Sequence, residues 1–163
     1  MALVYNTPLS AAQQAVEGID PPQPLALADR VRFSELDALN HVNNAVYMEW
    51  FERLRVRYAQ NWGMSNYSDH RDRSDEPRIV IAQGTIRYLR EMRMDEDYIA
   101  TCACTAFRTS SYSLAQQVWS GGSLRATFDC VMVQLEPDGS AKRPLSAEIC
   151  DRFRRVDGAR QEG

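Results

Sequence analysis

The order of patterns along the chain predicts an α+β fold, on three observations. One long stretch carries apolar residues at helical spacing, namely Tyr47, Trp50, Phe51, Leu54 and Tyr58. Four later segments are rich in β-branched, aromatic and small residues and are joined by short connections. No helical pattern separates those segments, so neighbouring strands are expected to meet as antiparallel hairpins and not as parallel βαβ units.

Taken in order, residues 10–19 form a short helix candidate, and Pro21, Pro22 and Pro24 end it in an extended linker. Residues 1–28 thus read as an N-terminal extension to a domain over 29–156. Residues 30–33 alternate basic and apolar side chains, a short strand that stops at Ser34, Glu35 and Asp37. The long helix follows, with Asn43 or Asn44 as its N-cap and Gly63 just beyond its end. Glu49 and Arg53, four apart, are expected to pair on its wet side. Residues 64–77 are polar and aperiodic, a surface loop in which His70 is a solvated side chain without a partner pattern. The strand candidates lie near 78–89, 98–107, 112–119 and 124–135. Gly121-Gly122 supplies positive φ between the last two, and Pro137-Asp138-Gly139 closes the fourth. Leu145, Ile149, Phe153 and Val156 predict a final short helix before a polar tail over 157–163. In the segment 98–103 both alternating sets are apolar or small. The sheet should therefore be covered on both faces, one by the helix and the other by a second protomer or an additional element.

The chain has 163 residues, 44% of them hydrophobic and 25% charged, with a formal net charge of -3. That size suits one domain with its own core, and the acidic balance disfavours a broad nucleic-acid footprint. The N-terminus lacks the basic start and apolar run of a signal peptide, and no stretch of 18 apolar residues occurs, so a cytoplasmic protein without a membrane segment is expected. Cys102, Cys104, Cys130 and Cys150 show no CxxC spacing. They read as reduced, small hydrophobes, and no metal site is expected.

Chemistry concentrates between the first strand and the long helix, where Asp37, Asn40, His41, Asn43 and Asn44 fall within eight positions. A helix N-terminus presents unpaired backbone N–H groups and the positive end of the helix dipole, which together suit a developing oxyanion. Asp37 precedes the helix by about one turn, where its carboxylate can act as base or nucleophile. Taken singly, each residue has a plainer use: Asp37 as a turn former, the asparagines as caps, and Tyr47 and Trp50 as core.

The run from Asp37 to Trp50, D-A-L-N-H-V-N-N-A-V-Y-M-E-W, resembles the signature of hotdog-fold acyl thioesterases of the 4-hydroxybenzoyl-CoA thioesterase type. The similarity extends from about residue 29 to 153. His-x-Asn-Asn at 41–44 is nearer the version seen in fatty acyl thioesterases. The resemblance implies a hotdog fold, with an antiparallel sheet wrapped around one long central helix. It implies an acyl-CoA thioesterase with Asp37 catalytic as nucleophile or base and the Asn44 N–H polarising the thioester oxygen. Val42 and Asn43 would contribute to the oxyanion site or order its turn. His41 would act as a second base or order the turn, the ordering role being preferred. Tyr47, Trp50, Ser110 and Ser111 would meet the substrate. No cofactor is implied beyond coenzyme A as part of the substrate. The family's sites lie at dimer interfaces, so a homodimer, or a dimer of dimers, is expected.

Arg87, Arg90, Arg93, Lys142 and Arg143 can in principle meet substrate phosphates, and sequence alone singles out none. An acyl-carrier-protein thioesterase, a non-catalytic acyl-thioester binding module and, in third place, a hotdog dehydratase stand as alternatives.

Overall fold

The computed structural model describes residues 3–65 and 75–163; the expected solvated His70 and most of its loop lie outside the described residues. The elements are α1 (Ala11–Val16), β1 (Leu25–Arg30), a 3₁₀ turn (Phe33–Glu35), α2 (Asn44–Asn61), β2 (Arg78–Tyr88), β3 (Asp97–Phe107), β4 (Ser111–Ser120), β5 (Ser123–Leu135), α3 (Ala147–Arg152), a π turn (Phe153–Asp157) and β6 (Arg160–Gln161). The sheet runs β1-β3-β4-β5-β2, with β6 added in parallel to the end of β3. One long helix with an antiparallel sheet is the α+β hotdog arrangement.

Two expectations need correction. The first strand covers Leu25–Arg30, not 30–33, and pairs antiparallel with β3 from Leu25 opposite Cys102 to Arg30 opposite Asp97. The run Leu25-Ala26-Leu27-Ala28 lacks alternation because the strand is covered on both faces, so it looked like linker. Residues 25–28 of the expected extension thus belong to the sheet. The second correction concerns β2, which does not form a hairpin with β3 but borders β5 at the far edge.

The chain divides into two compact units. The first comprises the residues up to Leu54 with Ile86–Ala103 and Gln116–Phe128; the second comprises Arg55–Thr85, Cys104–Ala115 and Asp129–Gly163. In the first unit Tyr47, Trp50, Phe51 and Leu54 of α2 are all buried, as their spacing requires. Phe51 stacks on Phe128 at 5.6 Å and Trp50 on Tyr98 at 4.1 Å. Gln116, wholly buried in β4, donates from Nε2 to the Phe51 carbonyl at 2.9 Å, which meets its need for a partner. Arg53 does not pair with Glu49; its guanidinium reaches Tyr98 Oη and Asp29.

The other face of β1 and β3 is covered by the chain's own N-terminal segment. Leu9, Ile19, Ala26, Ala28 and Ile99 form a buried cluster, with Leu3 and Trp119 packed against it. Ser10 caps α1 in a reciprocal capping box with Gln13. Gly18 follows at φ 81°, and a Cβ there would lie 3.2 Å from the Gly122 Cα, so glycine permits this segment's approach to the β4–β5 turn. The additional element left open by the sequence is thus present over β1 and β3.

In the second unit Asp157 is the focal acceptor. Its carboxylate takes hydrogen bonds from Tyr58 Oη (2.6 Å), Trp62 Nε1 (2.9 Å) and the Cys104 N–H (2.7 Å). Burial pushes its carboxyl above the usual carboxylate range. A residue expected to open a polar tail therefore fastens the C-terminal turn. The cysteines are free, and burial raises the Cys104 and Cys130 thiols, the latter to about 11, consistent with inert core thiols. Among the described residues no helix is long and apolar enough to cross a membrane.

Two stability outcomes follow from this packing. Ile19→Ala should cost about 3 kcal/mol in urea denaturation, because it empties the centre of the N-terminal cluster. Asp157→Ala should cost on the order of 3 kcal/mol by stranding three donors. Because the folded-state pKa of Asp157 is raised, its ionisation withdraws stability as pH rises from the unfolded value through the folded one. Asp157→Asn should remove that portion of the pH dependence.

Candidate active site

The segment linking the 3₁₀ turn to α2 is a tight, self-bonded loop. Leu36 and Val42 form an antiparallel bridge, and the Asp37 N–H donates to the His41 carbonyl at 2.8 Å. Inside it the Asn40 N–H donates to the Asp37 carbonyl at 3.0 Å, and Asn40 itself sits at φ 58°, a left-handed conformation that asparagine tolerates. The half-buried Asp37 carboxylate accepts from the Leu39 N–H at 2.8 Å and the His41 N–H at 3.4 Å, both through Oδ1. Among the described residues Oδ2 has no partner. One oxygen therefore holds the loop and leaves the other open to chemistry.

The loop delivers the chain into α2. Asn43 is the N-cap, its side-chain oxygen accepting from the Ala45 N–H at 3.0 Å and its carbonyl from the Val46 N–H at 2.9 Å. The N–H groups of Val42 and Asn43 are already committed, to the Met92 and Glu35 carbonyls, each at 2.9 Å. The exposed Asn44 is different: among the described residues its N–H has no acceptor, and it opens an 18-residue helix whose dipole points the same way. Of the three candidates at the helix mouth, Val42 and Asn43 order the turn, and Asn44 retains a donor.

Glu35, which the sequence reading treated only as part of a polar cluster, braces this mouth. Its carboxylate accepts from Trp50 Nε1 at 2.9 Å and the Arg32 N–H at 2.8 Å, while its carbonyl accepts from the cap residue. Trp50 is thereby a buried anchor, 2% exposed, and Tyr47, 3% exposed, packs between Trp50 and Tyr88 at 5.1 and 5.4 Å. Burial pushes the Tyr47 phenol up to about 12. Tyr47 and Trp50 are therefore both buried. Tyr88 Oη donates to the Asn44 carbonyl at 3.0 Å and ties the end of β2 to the helix start.

His41 faces a partner that sequence reasoning missed. Its Nε2 lies 2.9 Å from Glu91 Oε2, and Glu91 also takes Arg93, whose hydrogen bond holds the carboxyl below its ordinary range. The only available signal was a carboxylate in the segment after β2, fifty positions from the histidine. Ser110 lies in the β3–β4 turn and Ser111 opens β4, both in the second unit, where their carbonyls accept from the Gln134 and Arg108 N–H groups. Ser111 also lines a cleft of about 210 Å³ with Phe107, Tyr112, Val131 and Glu162. Among the described residues no group of three or more His, Cys, Asp or Glu side chains is placed to hold a metal ion.

Comparisons with known proteins agree with this architecture. A family model described as the thioesterase-like superfamily matches residues 31–153. A thioesterase-superfamily structure from Jannaschia sp. CCS1 is 34% identical, covers 97% of this chain and 98% of its own, and superposes with a TM-score of 0.88. A Thermus thermophilus thioesterase, solved with coenzyme A and zinc, is 29% identical, with 85% and 97% of the two chains covered and a TM-score of 0.70. A 1,4-dihydroxy-2-naphthoyl-CoA thioesterase from Synechocystis shares the fold at 11% identity, with 81% and 96% covered and a TM-score of 0.69. No curated protein sequence matches significantly.

Glu35→Ala should destabilise the protein by about 2 kcal/mol in chemical denaturation, since the buried Trp50 indole loses its acceptor. Glu35→Gln, which keeps an acceptor oxygen, should recover most of the loss.

Proposed function

The chain belongs to the thioesterase-like superfamily, and from that premise we propose that it hydrolyses an acyl-CoA thioester to a free carboxylic acid and coenzyme A. The observation that carries the reading is the pairing, among the described residues, of an Asp37 carboxylate with one oxygen uncommitted and, at the mouth of the long helix that its loop leads into, an Asn44 N–H with no acceptor. Coenzyme A in the Thermus relative supports the choice of thiol carrier.

In the proposed reaction the thioester carbonyl oxygen points at the Asn44 N–H. Asp37 Oδ2 either attacks the carbonyl carbon or takes a proton from a water that does. Negative charge moves to the oxygen as the carbon becomes tetrahedral, and the N–H and helix dipole stabilise it there. Collapse breaks the C–S bond, the thiolate leaves and is protonated, and water supplies the oxygen of the product acid. By the nucleophilic route, water then hydrolyses the acyl-Asp37 anhydride. His41, through Glu91 and its backbone bonds to Asp37, holds the loop. No cofactor enters the scheme beyond the coenzyme A of the substrate.

A homodimer fits this reading. Strand β2 is the sheet edge and is exposed along its length, with Val80, Ile81 and Tyr88 at 39%, 43% and 47% exposure, an edge that a second copy would cover. One observation favours the rival reading of a non-catalytic acyl-thioester binder: Asp37 Oδ1 is used to shape the turn, as a purely structural aspartate would be.

Asp37→Asn separates the two, because the amide oxygen preserves the acceptor for Leu39 and His41 but removes the base. The variant should retain the wild-type unfolding midpoint while losing about 10²- to 10⁴-fold in turnover, measured as free thiol released from a panel of acyl-CoAs. Undiminished turnover, or no wild-type thiol release across a panel whose members nonetheless raise the melting temperature, would favour the binder.

A further inference from the structure

Strand β1 lies at one end of the strand order, and its run Leu25-Ala26-Leu27-Ala28 is apolar throughout. Left bare, such an edge offers a row of backbone donors and acceptors on which another chain can pair. In this chain residues 5–9 occupy it. The Asn6 N–H donates to the Ala28 carbonyl and the Leu9 N–H to the Ala26 carbonyl, each at 2.9 Å, and bridges join Tyr5 to Ala28 and Pro8 to Leu27. The cover is not a further strand. Its first bridge is parallel and its second antiparallel, Asn6 sits at φ 57°, and Pro8 has no N–H to give. The segment thus takes up carbonyls of β1 without presenting a regular ladder of its own.

The cover is fastened along its length. Tyr5 Oη donates to Asp97 Oδ1 at 2.6 Å, and the Arg30 guanidinium lies 5.9 Å from the tyrosine ring. Farther along, the buried Gln14 donates from Nε2 to the Leu9 and Gln23 carbonyls at 3.3 and 3.0 Å and accepts from the Gln23 N–H at 2.7 Å. One side chain thereby closes the loop that carries Ile19 onto Ala26, Ala28 and Ile99. The other terminus treats the end of β3 alike: β6 pairs with Ala106 and Phe107, and the Glu162 N–H donates to the Phe107 carbonyl at 2.8 Å. Strand β2, at the opposite end of the strand order, is exposed along its length.

We infer that the N-terminal segment seals the β1 edge against a second copy of this chain and leaves β2 as the edge through which copies can pair. The number of open edges decides which assemblies are possible. A chain with one pairing edge closes at a pair, because the union uses up both edges. A chain with two has no such stop, since each added copy brings a fresh edge. The inference does not depend on the hydrolase reading.

The test is sedimentation velocity over a concentration series, on the full chain and on two release variants. Asn6→Pro with Leu9→Pro removes both donors to β1, and the φ of 57° at Asn6 is closed to proline. Gly18→Val acts at the other end, where a Cβ would meet the Gly122 Cα at 3.2 Å and φ is 81°. The wild type should stop at a pair or below. Each folded release variant should exceed the wild-type weight-average mass at least twofold at the top of the series. Adding Val80→Lys and Ile81→Lys, which charge the β2 edge, should return the release variants to a pair at most. Release variants of wild-type size overturn the inference, as does a wild type that grows past a pair. So does growth past a pair with the β2 lysines in place, because that is aggregation of a loosened chain and not edge pairing. A cooperative thermal transition identifies the folded variants, and Gly18→Val decides the matter if the proline variant is not among them.

Discussion

The structure around the candidate site depends on how residues 36–42 are closed. Asp37 bonds its own loop from both backbone and side chain, and the Leu36–Val42 bridge fixes the geometry that hands Asn43 to the helix as its cap. Three N–H groups at the loop's exit then have distinct fates. Those of Val42 and Asn43 are spent on carbonyls, and only the Asn44 N–H meets solvent with the helix dipole behind it. A single turn thereby positions both the Asn44 N–H at the start of α2 and the Asp37 carboxylate. Loosening the turn disturbs both at once.

The bracing extends inward through charge-assisted contacts. Asp29, 6% exposed, holds Arg32, which with the Trp50 indole satisfies Glu35, and the Glu35 carbonyl receives the cap residue. A buried carboxylate without partners would be costly, so this chain of donors is what permits acidic groups behind the site at all. Trp50 links the loop to the core by stacking on Tyr98 while its N–H reaches Glu35. Tyr47 and Trp50 are thus part of the packing behind the loop.

Much of this was legible in the sequence because it is local. The 3.6-residue spacing of Tyr47, Trp50, Phe51, Leu54 and Tyr58 specifies the helix and its buried stripe. Asn43 and Gly63 mark its ends, and Gly121-Gly122 marks the hairpin turn with φ of 56° and 68°. What escaped was non-local. β1 hid in an apolar run after prolines because burial on both faces erases alternation. β2 was expected beside β3 but borders β5, since sequence adjacency does not dictate strand order. Glu91 is one carboxylate among many until folding places it 2.9 Å from His41, and Asp157 resembles tail composition until three donors converge on it.

The central claim concerns where a thioester carbonyl sits, and a structure answers it most directly. Crystals grown with a ketone analogue of acyl-CoA, in which a methylene separates the carbonyl from sulfur, would show the ligand oxygen roughly 3 Å from the Asn44 nitrogen with Asp37 Oδ2 facing the carbonyl carbon. A carbonyl bound away from the helix mouth, with Asp37 still occupied only by its own loop, would contradict the account.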